Sequence, residues 1–206
     1  LKSFTDGGFY VQDPSTLLAI NLLDPKPGDT VLDLCAAPGG KTTAIAQRLE
    51  NRGNIYAKDT HRARILRIRE NCDRLGVTCV ATSVRSGVTH PELSVEFDRI
   101  LVDAPCSNTG VMRRRIDLRW RISESEIRRL QELQLHLLDD ASIQLKPTGR
   151  LVYSTCSLEP DENRGVVDAF LGEHGGAFDL DSDRDLLPFR DQVDGAYCAR
   201  IRRIQG

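Results

Sequence analysis

The chain has 206 residues and a formal net charge of −2, from 28 lysines and arginines and 30 aspartates and glutamates. Its 40% hydrophobic content is ordinary for a soluble domain with one core, and it lacks both an apolar run near the roughly 20 residues of a membrane-spanning helix and the layout of a signal peptide. These features disfavour membrane and secreted proteins, so we expect one cytoplasmic domain over residues 1–206.

Short apolar runs alternate with longer segments of helical periodicity, which is the pattern of a βαβ succession. The first helix is predicted to begin at Asp13-Pro14, with Asp13 as its N-cap, and a capping box of Ser123 and Glu126 starts the longest one. Further helices are predicted over residues 42–49, 60–75, 123–145 and 160–171, and strands over 31–34, 54–57, 77–81, 99–102, 150–153 and 196–201. We therefore expect a doubly wound α/β fold that binds ligands beyond the carboxyl ends of its strands.

The first strand end runs into a glycine-rich turn and a helix, in the string Asp33-Leu-Cys-Ala-Ala-Pro-Gly-Gly-Lys-Thr42. Paired glycines bring backbone N–H groups and the positive helix end close to a phosphate or a nucleoside. A Walker A loop needs a glycine five residues before Gly40, and Cys35 stands there instead. A nucleoside cofactor needs an acid about 20 residues on to bind ribose hydroxyls, and Asp59 follows Gly39 by 20. Capping of the next helix is the structural alternative for Asp59.

Two further strand ends each carry a cysteine just past an apolar strand. Cys106 lies in Asp103-Ala-Pro-Cys-Ser-Asn-Thr-Gly110, and Cys156 lies in Ser154-Thr-Cys-Ser-Leu-Glu-Pro-Asp-Glu-Asn163. Because strand ends are where α/β enzymes keep reactive groups, both thiols and Asp103 could face one crevice. Without a Cys-x-x-Cys pair or zinc-finger spacing, neither a disulfide framework nor a metal site is indicated. For Cys72, Cys79 and Cys198 the simpler interpretation is that they are inert residues packed in the core.

In their order and spacing, these three strings resemble the RNA cytosine-C5 methyltransferases of the Nop/Sun type, above all the bacterial ribosomal RNA enzymes. The resemblance covers nearly the whole chain, including Gly8-Phe-Tyr-Val-Gln-Asp-Pro-Ser15. It implies an α/β, Rossmann-like S-adenosylmethionine-dependent methyltransferase fold, with a seven-stranded, mostly parallel sheet whose last strand is antiparallel. Since the first residue is Leu1 rather than Met, we expect a fragment. The resemblance implies that this fragment lacks the N-terminal RNA-binding domain that such bacterial enzymes carry, and we expect it to be a monomer.

The resemblance also implies roles for individual residues, with S-adenosylmethionine as the cofactor and no metal. Asp59 is expected on the ribose, and Asp103 near the methionine and the target base. Ser83 stands where the family usually has an acid for the adenine amino group, so adenine recognition is expected to be weaker or to use a backbone group. The remaining cofactor contacts are expected from the turn residues Cys35, Ala36, Ala37, Pro38, Gly39, Gly40 and Lys41.

Methyl transfer to C5 of cytosine needs covalent catalysis, because that carbon is a poor nucleophile. A thiolate that adds to C6 makes the ring enamine-like, and a base must later remove the C5 proton so that the thiol can leave. A carboxyl at ring N3 would assist the addition, and Asp103 is the candidate. The resemblance assigns attack to Cys156 and release to Cys106. DNA cytosine methyltransferases use a Pro-Cys thiol, which leaves Cys106 as the alternative nucleophile.

A cluster of cationic residues around one tryptophan follows the second strand end. A target base in RNA must be unpaired or extruded from its stack, and this cluster offers charge and stacking surface together. A solvated surface is the structural alternative. A P-loop-like ATPase, a non-catalytic RNA-binding module and a DNA cytosine-C5 methyltransferase stay open, although Cys35 disfavours the first and the paired cysteines the second. The expected contacts to RNA, and to ribosomal RNA in particular, are Arg113, Arg114, Arg115, Arg119, Trp120 and Arg121.

Overall fold

The computed structural model describes residues 1–85 and 95–204 of the protein. In these ranges no helix is long and apolar enough to span a membrane. The strands are β1 (Thr30–Leu34), β2 (Asn54–Asp59), β3 (Val80–Val84), β4 (Phe97–Asp103), β5 (Leu145–Thr155), β6 (Phe178–Leu186) and β7 (Ala196–Arg203). The α-helices are α1 (Lys2–Thr5), α2 (Thr16–Leu23), α3 (Gly40–Arg48), α4 (Arg62–Arg74), α5 (Glu124–Ile143), α6 (Arg164–Glu173) and α7 (Pro188–Asp191).

The seven strands form one sheet in the order β3-β2-β1-β4-β5-β7-β6. Strands β1 to β5 pair in parallel, and β7 is antiparallel to both β5 and β6. The expected α/β, Rossmann-like class with an antiparallel last strand is therefore confirmed. Because the carboxyl ends of parallel strands meet at one edge, Asp103 at the end of β4 lies opposite Ser154 of β5.

Helices cover both faces of the sheet, which is why its central strands are hydrophobic on both sides. On one face α5 and α6 pack Leu137 and Phe170 against alternate strand residues such as Ile100. On the other face α2 and α3 pack Ile20 and Ile45 against the intervening strand residues. Complete burial of such a side chain contributes roughly 1.5–3 kcal/mol. The two apolar layers hold the strand ends, and hence the site, in place.

The start of α2 differs from the prediction. The helix begins at Thr16 with Ser15 as the N-cap, and the Asp13 carboxylate accepts a hydrogen bond from the Ser15 N–H at 3.0 Å in the preceding turn. The same carboxylate accepts a hydrogen bond from the backbone N–H of Asp194 at 3.1 Å. Asp13 therefore joins the N-terminal segment to the loop before β7 rather than capping the helix directly.

Strand β3 also lies three residues further along than the predicted range 77–81. The N–H of Val77 donates to the carbonyl of Cys72 at 2.9 Å, which closes the end of α4. The N–H of Thr78 donates to Oδ1 of Asn51 at 3.2 Å. These two bonds take up the backbone donors that a strand starting at Val77 would have used.

At the start of α5 only one half of the predicted capping box is formed. Oγ of Ser123 accepts from the N–H of Glu126 at 3.3 Å. The Glu126 carboxylate pairs with Arg129 at 2.7 Å instead of reaching back. The helix ends at Ile143, and Leu145, which the prediction had placed in the helix, begins β5.

Candidate active site

The carboxyl edge of the sheet contains the predicted turn between β1 and α3. Gly39 has a φ of 102°, and a Cβ there would lie 3.2 Å from Cα of Ile68, so this position requires glycine. Glycine is needed at position 40 for a different reason, because a Cβ there would lie 2.8 Å from the Tyr10 ring. Burial raises the pKa of the Cys35 thiol to about 12, which makes that thiol unreactive. Both glycines are therefore required by close packing within the protein, against α4 and the N-terminal segment.

Asp59 ends β2 beside this turn, with only 1% of its side chain exposed. Its Oδ2 accepts from the N–H of Ala37 at 3.2 Å, and Nη1 of Arg64 lies 3.4 Å from its Oδ1. The bond from the N–H of His61 is long, at 3.5 Å, so helix capping is a minor role. The carboxylate is thus held at the end of β2, with the half-exposed Arg64 side chain beside it.

Lys41 and Asp103 form an ion pair in the centre of the site. The Nζ atom of Lys41 lies 2.7 Å from Oδ2 of Asp103, whose Oδ1 accepts from Oγ of Ser154 at 3.2 Å. Burial opposes the lysine charge, but the Asp103 carboxylate raises the pKa of Lys41 overall. A Walker A lysine must be available to phosphates, and this lysine is bound to a carboxylate, which disfavours the ATPase alternative.

The two predicted cysteines meet, with their Sγ atoms 3.4 Å apart. The hydrogen bond from the Cys106 thiol lowers the pKa of Cys156, although burial opposes it, and the Lys41 charge also lowers it. The same bond, together with burial, raises the pKa of Cys106 well above its usual range. When protonated, Cys156 donates to Oδ1 of Asn108 at 3.0 Å. Cys156 is therefore the thiol that ionises first, and Cys106 the one that keeps its proton.

Sequence reasoning missed the acid that joins the two cysteine loops. Glu162 was predicted to lie in a helix over 160–171, but it ends a separate 3₁₀ turn before α6 and is fully buried. Its carboxylate accepts from the N–H of Ser107 at 2.9 Å, from the Ser107 hydroxyl, and from the Ser157 hydroxyl at 2.6 Å. The one signal in the sequence is that a serine follows each cysteine. A carboxylate then comes five residues after the second serine.

Two of the predicted RNA-binding arginines have a structural partner. Buried Asp194, in the loop before β7, pairs with Nε of Arg113 at 2.7 Å and with Arg114. The segment after Cys106 and the loop before β7 also pack closely. A Cβ on Gly110 would lie 2.4 Å from the carbonyl oxygen of Gly195. Arg113 and Arg114 therefore fix the segment after Cys106 to the body of the protein.

The other members of the cluster lie at the surface. Arg115 and Arg119 are exposed, and within residues 1–85 and 95–204 neither forms a salt bridge. Arg121 makes a long one, 3.7 Å, with Asp117. Trp120 is 84% exposed, although large aromatic side chains are usually covered. This half of the cluster is available for a partner.

Ser83, the expected neighbour of the adenine, lies exposed in β3, opposite Lys58 of β2. It is one strand beyond Asp59, on the same edge of the sheet. Among the described residues no group of three or more His, Cys, Asp or Glu side chains is placed to hold a metal ion.

The seven-stranded sheet with its antiparallel last strand defines a Rossmann-like methyltransferase fold, and the glycine turn and the acid at the end of β2 lie at the edge where open α/β sheets bind ligands. The family model for the 16S rRNA methyltransferases RsmB/F matches residues 20–202, and the chain belongs to this family. The family expected from the sequence is thus confirmed.

Individual relatives agree with this assignment. The chain is 42% identical over 211 residues to ribosomal RNA small subunit methyltransferase B of Vibrio cholerae, covering 98% of this chain and 48% of the relative. It is 42% identical over 175 residues to a probable enzyme of the same name from Bacillus subtilis, covering 83% and 39%. NSun6 from Pyrococcus horikoshii, solved with the S-adenosylmethionine analogue SFG, superposes with a TM-score of 0.92 at 33% identity, covering 100% of this chain and 56% of that one. The chain spans about half the length of the curated relatives it matches.

Proposed function

We propose that this domain transfers a methyl group from S-adenosylmethionine to C5 of a cytosine in small-subunit ribosomal RNA, through a covalent bond between Cys156 and C6. The observation that carries the proposal is the pair of thiols, 3.4 Å apart, next to Asp103. The turn over residues 35–41 and Asp59 would hold the cofactor, which supplies an electrophilic methyl group when bound. The names of the relatives support ribosomal RNA as the substrate.

Cys156 begins the reaction as a thiolate, which the Cys106 thiol and the Lys41 charge stabilise. Its sulfur forms a bond to C6, and the electron pair of the C5–C6 double bond moves toward C5, which then takes up the methyl group. Asp103 is ion-paired with Lys41, so it acts as an acceptor. It accepts a hydrogen bond from the exocyclic amino group, or from N3 once that nitrogen has taken up a proton from solvent, and so stabilises the ring during addition.

Cys106 acts after methyl transfer. Its pKa is raised first by the hydrogen bond to Cys156, then by burial and by the charge on that sulfur. The first and third causes are removed once Cys156 is a neutral thioether, which lowers the pKa of Cys106. Cys106 can then release its proton to solvent and remove the proton from C5. The electron pair restores the C5–C6 double bond, and Cys156 leaves as a thiolate.

The test is methyl transfer from radiolabelled S-adenosylmethionine to small-subunit ribosomal RNA and to DNA, followed by nucleoside analysis. The proposal predicts label in 5-methylcytidine from RNA. Label in 5-methyldeoxycytidine would instead identify a DNA enzyme. RNA binding without transfer would identify a non-catalytic module, and ATP hydrolysis without either would support the P-loop alternative.

A further inference from the structure

Backbone hydrogen bonds join the two cysteine loops on either side of the thiols. The N–H of Ala104 donates to the carbonyl of Ser154, and the N–H of Gly110 donates to the carbonyl of Cys156, each at 2.9 Å. Between these two bonds the loops are joined only by side chains. The centre of this connection is the carboxylate of Glu162, which is 0% exposed.

Each oxygen of this carboxylate accepts two hydrogen bonds. Oε1 accepts from the N–H of Ser107 at 2.9 Å and from Nε2 of Gln134 at 3.0 Å. Oε2 accepts from the hydroxyls of Ser107 and Ser157. These four donors satisfy the acceptor sites of the buried carboxylate, whose burial without them would be strongly unfavourable.

Gln134 connects this carboxylate to the Cys106 loop. Its Nε2 donates to Oε1 of Glu162 at 3.0 Å and to the carbonyl of Pro105 at 2.9 Å. Its own Oε1 is buried and has no hydrogen-bond partner in the described part of the chain. The amide thus directs both donors at these two acceptors and leaves its own acceptor unsatisfied.

We infer that Glu162 is a positioning residue that sets the separation of the two thiols and directs ionisation to Cys156, an inference that rests on the proposed function. Ser107 and Ser157 directly follow the two cysteines, so one carboxylate that binds both serines fixes both sulfurs. Ser107, beside Cys106, donates two hydrogen bonds to the carboxylate and Ser157 donates one, so the charge is tied more closely to Cys106, where it disfavours a second thiolate.

The pKa shifts agree with this placement. Behind the hydrogen bond to Cys156, burial and the Cys156 charge, the Glu162 charge is a further cause that raises the pKa of Cys106. Glu162→Gln keeps the shape of the side chain, and the two serine hydroxyls can turn to accept from the new amide. The charge is lost, so Cys106 ionises more easily and competes with Cys156 for the negative charge.

The experiment is alkylation by iodoacetamide as a function of pH, on protein free of RNA and cofactor. Trypsin places each thiol in a peptide with one cysteine, residues 100–113 for Cys106 and residues 151–164 for Cys156. In Glu162→Gln we expect the alkylation midpoint of Cys106 to fall by about half to one pH unit, a roughly threefold to tenfold higher rate below the midpoint. Asp161→Asn removes an equal charge from the exposed neighbouring residue and should leave the midpoint unchanged.

Glu162→Asp, which keeps the charge on a shorter side chain, should lower the Cys106 midpoint by a smaller amount. A folded Glu162→Gln variant with wild-type midpoints for both thiols would overturn the inference. If that variant does not fold, Glu162→Asp replaces it, and an unchanged Cys106 midpoint there would overturn the inference equally. Because alkylation needs neither RNA nor methyl transfer, failure of the proposed function would appear in the methylation assay and not here.

Discussion

The sulfurs of Cys106 and Cys156 lie 3.4 Å apart, although 50 positions separate the two residues in the chain. The contact exists because β4 and β5 are parallel neighbours, with Asp103 opposite Ser154. It makes the thiols unequal, since one sulfur donates to the other. An asymmetry of this kind suits a reaction in which one thiol attacks as a thiolate and the other stays protonated until a later step.

Removal of the Cys106 thiol should therefore make Cys156 a weaker acid. In Cys106→Ala we expect the pKa of Cys156 to rise, because its thiolate loses the main cause of its lowered value. The iodoacetamide midpoint of Cys156 should shift to higher pH. Cys79→Ala, which removes a partly exposed thiol elsewhere, should not shift it, and an equal midpoint in all three proteins would show that the contact does not control ionisation.

Cofactor affinity should respond in opposite directions to two substitutions at the end of β2. Asp59→Ala should weaken S-adenosylhomocysteine binding by roughly 1.5–3 kcal/mol, the range for hydrogen bonds to a charged group. Arg64→Ala should strengthen binding, because it uncovers the carboxylate. Calorimetry would measure both, with Arg67→Ala on the same helix as the control. Weaker binding in Arg64→Ala would mean that Arg64 itself holds the cofactor.

Salt dependence tests the exposed half of the arginine cluster. If Arg115, Arg119 and Arg121 each contact a phosphate, changing all three to Gln should flatten the slope of log affinity against log salt by about 2, at roughly 0.7 per contact on single strands. Arg48 and Arg52, exposed at the end of α3 and just beyond it, provide a control pair whose change to Gln should leave the slope as it is. An unchanged slope in the triple variant would assign the cluster to a solvated surface.

Asp33 should make stability depend on pH. It is fully buried, and burial raises its pKa from 3.8 to about 7, although the Thr42 hydroxyl donates to it at 2.6 Å. The folded protein thus holds a proton that the unfolded chain releases. The contribution is complete below about pH 4 and is lost as pH rises toward 7, by at most about 1.4 kcal/mol per pH unit.

Urea unfolding at pH 5 and pH 8 measures this dependence. Asp33→Asn should lose less stability than the wild type between the two pH values. Asp6→Asn, at an exposed position, should behave like the wild type. An equal loss in all three proteins would show that Asp33 does not titrate in this range.

The sequence was sufficient to predict the order of most elements and the three strand ends, because apolar runs and turn residues are local signals. Strand β6 was not predicted from the sequence, because an aspartate occupies every second position. Two of these acids pair with arginines of β7, Asp179 with Arg202 at 2.8 Å and Asp181 with Arg200. Charged side chains on an edge strand also disfavour pairing with other chains.

Glu162 could not have been singled out in the same way, since its donors come from three separate segments of the chain. Its burial is a property of the assembled fold. The expected roles of Ser83 at the adenine, of an N-terminal RNA-binding domain and of a monomeric state stay predictions. The first depends on a bound cofactor, the second on further chain and the third on a second copy of the protein.

The most direct test of the two-thiol mechanism is a denaturing gel of labelled small-subunit ribosomal RNA, incubated with S-adenosylmethionine and each cysteine variant. Cys106→Ala should attack and methylate but fail to release, leaving a slow band that protease removes. Cys156→Ala should give neither the band nor methyl transfer. The reversed pattern, or methyl transfer that persists in the Cys156 variant, would contradict the assignment of Cys156 as the nucleophile.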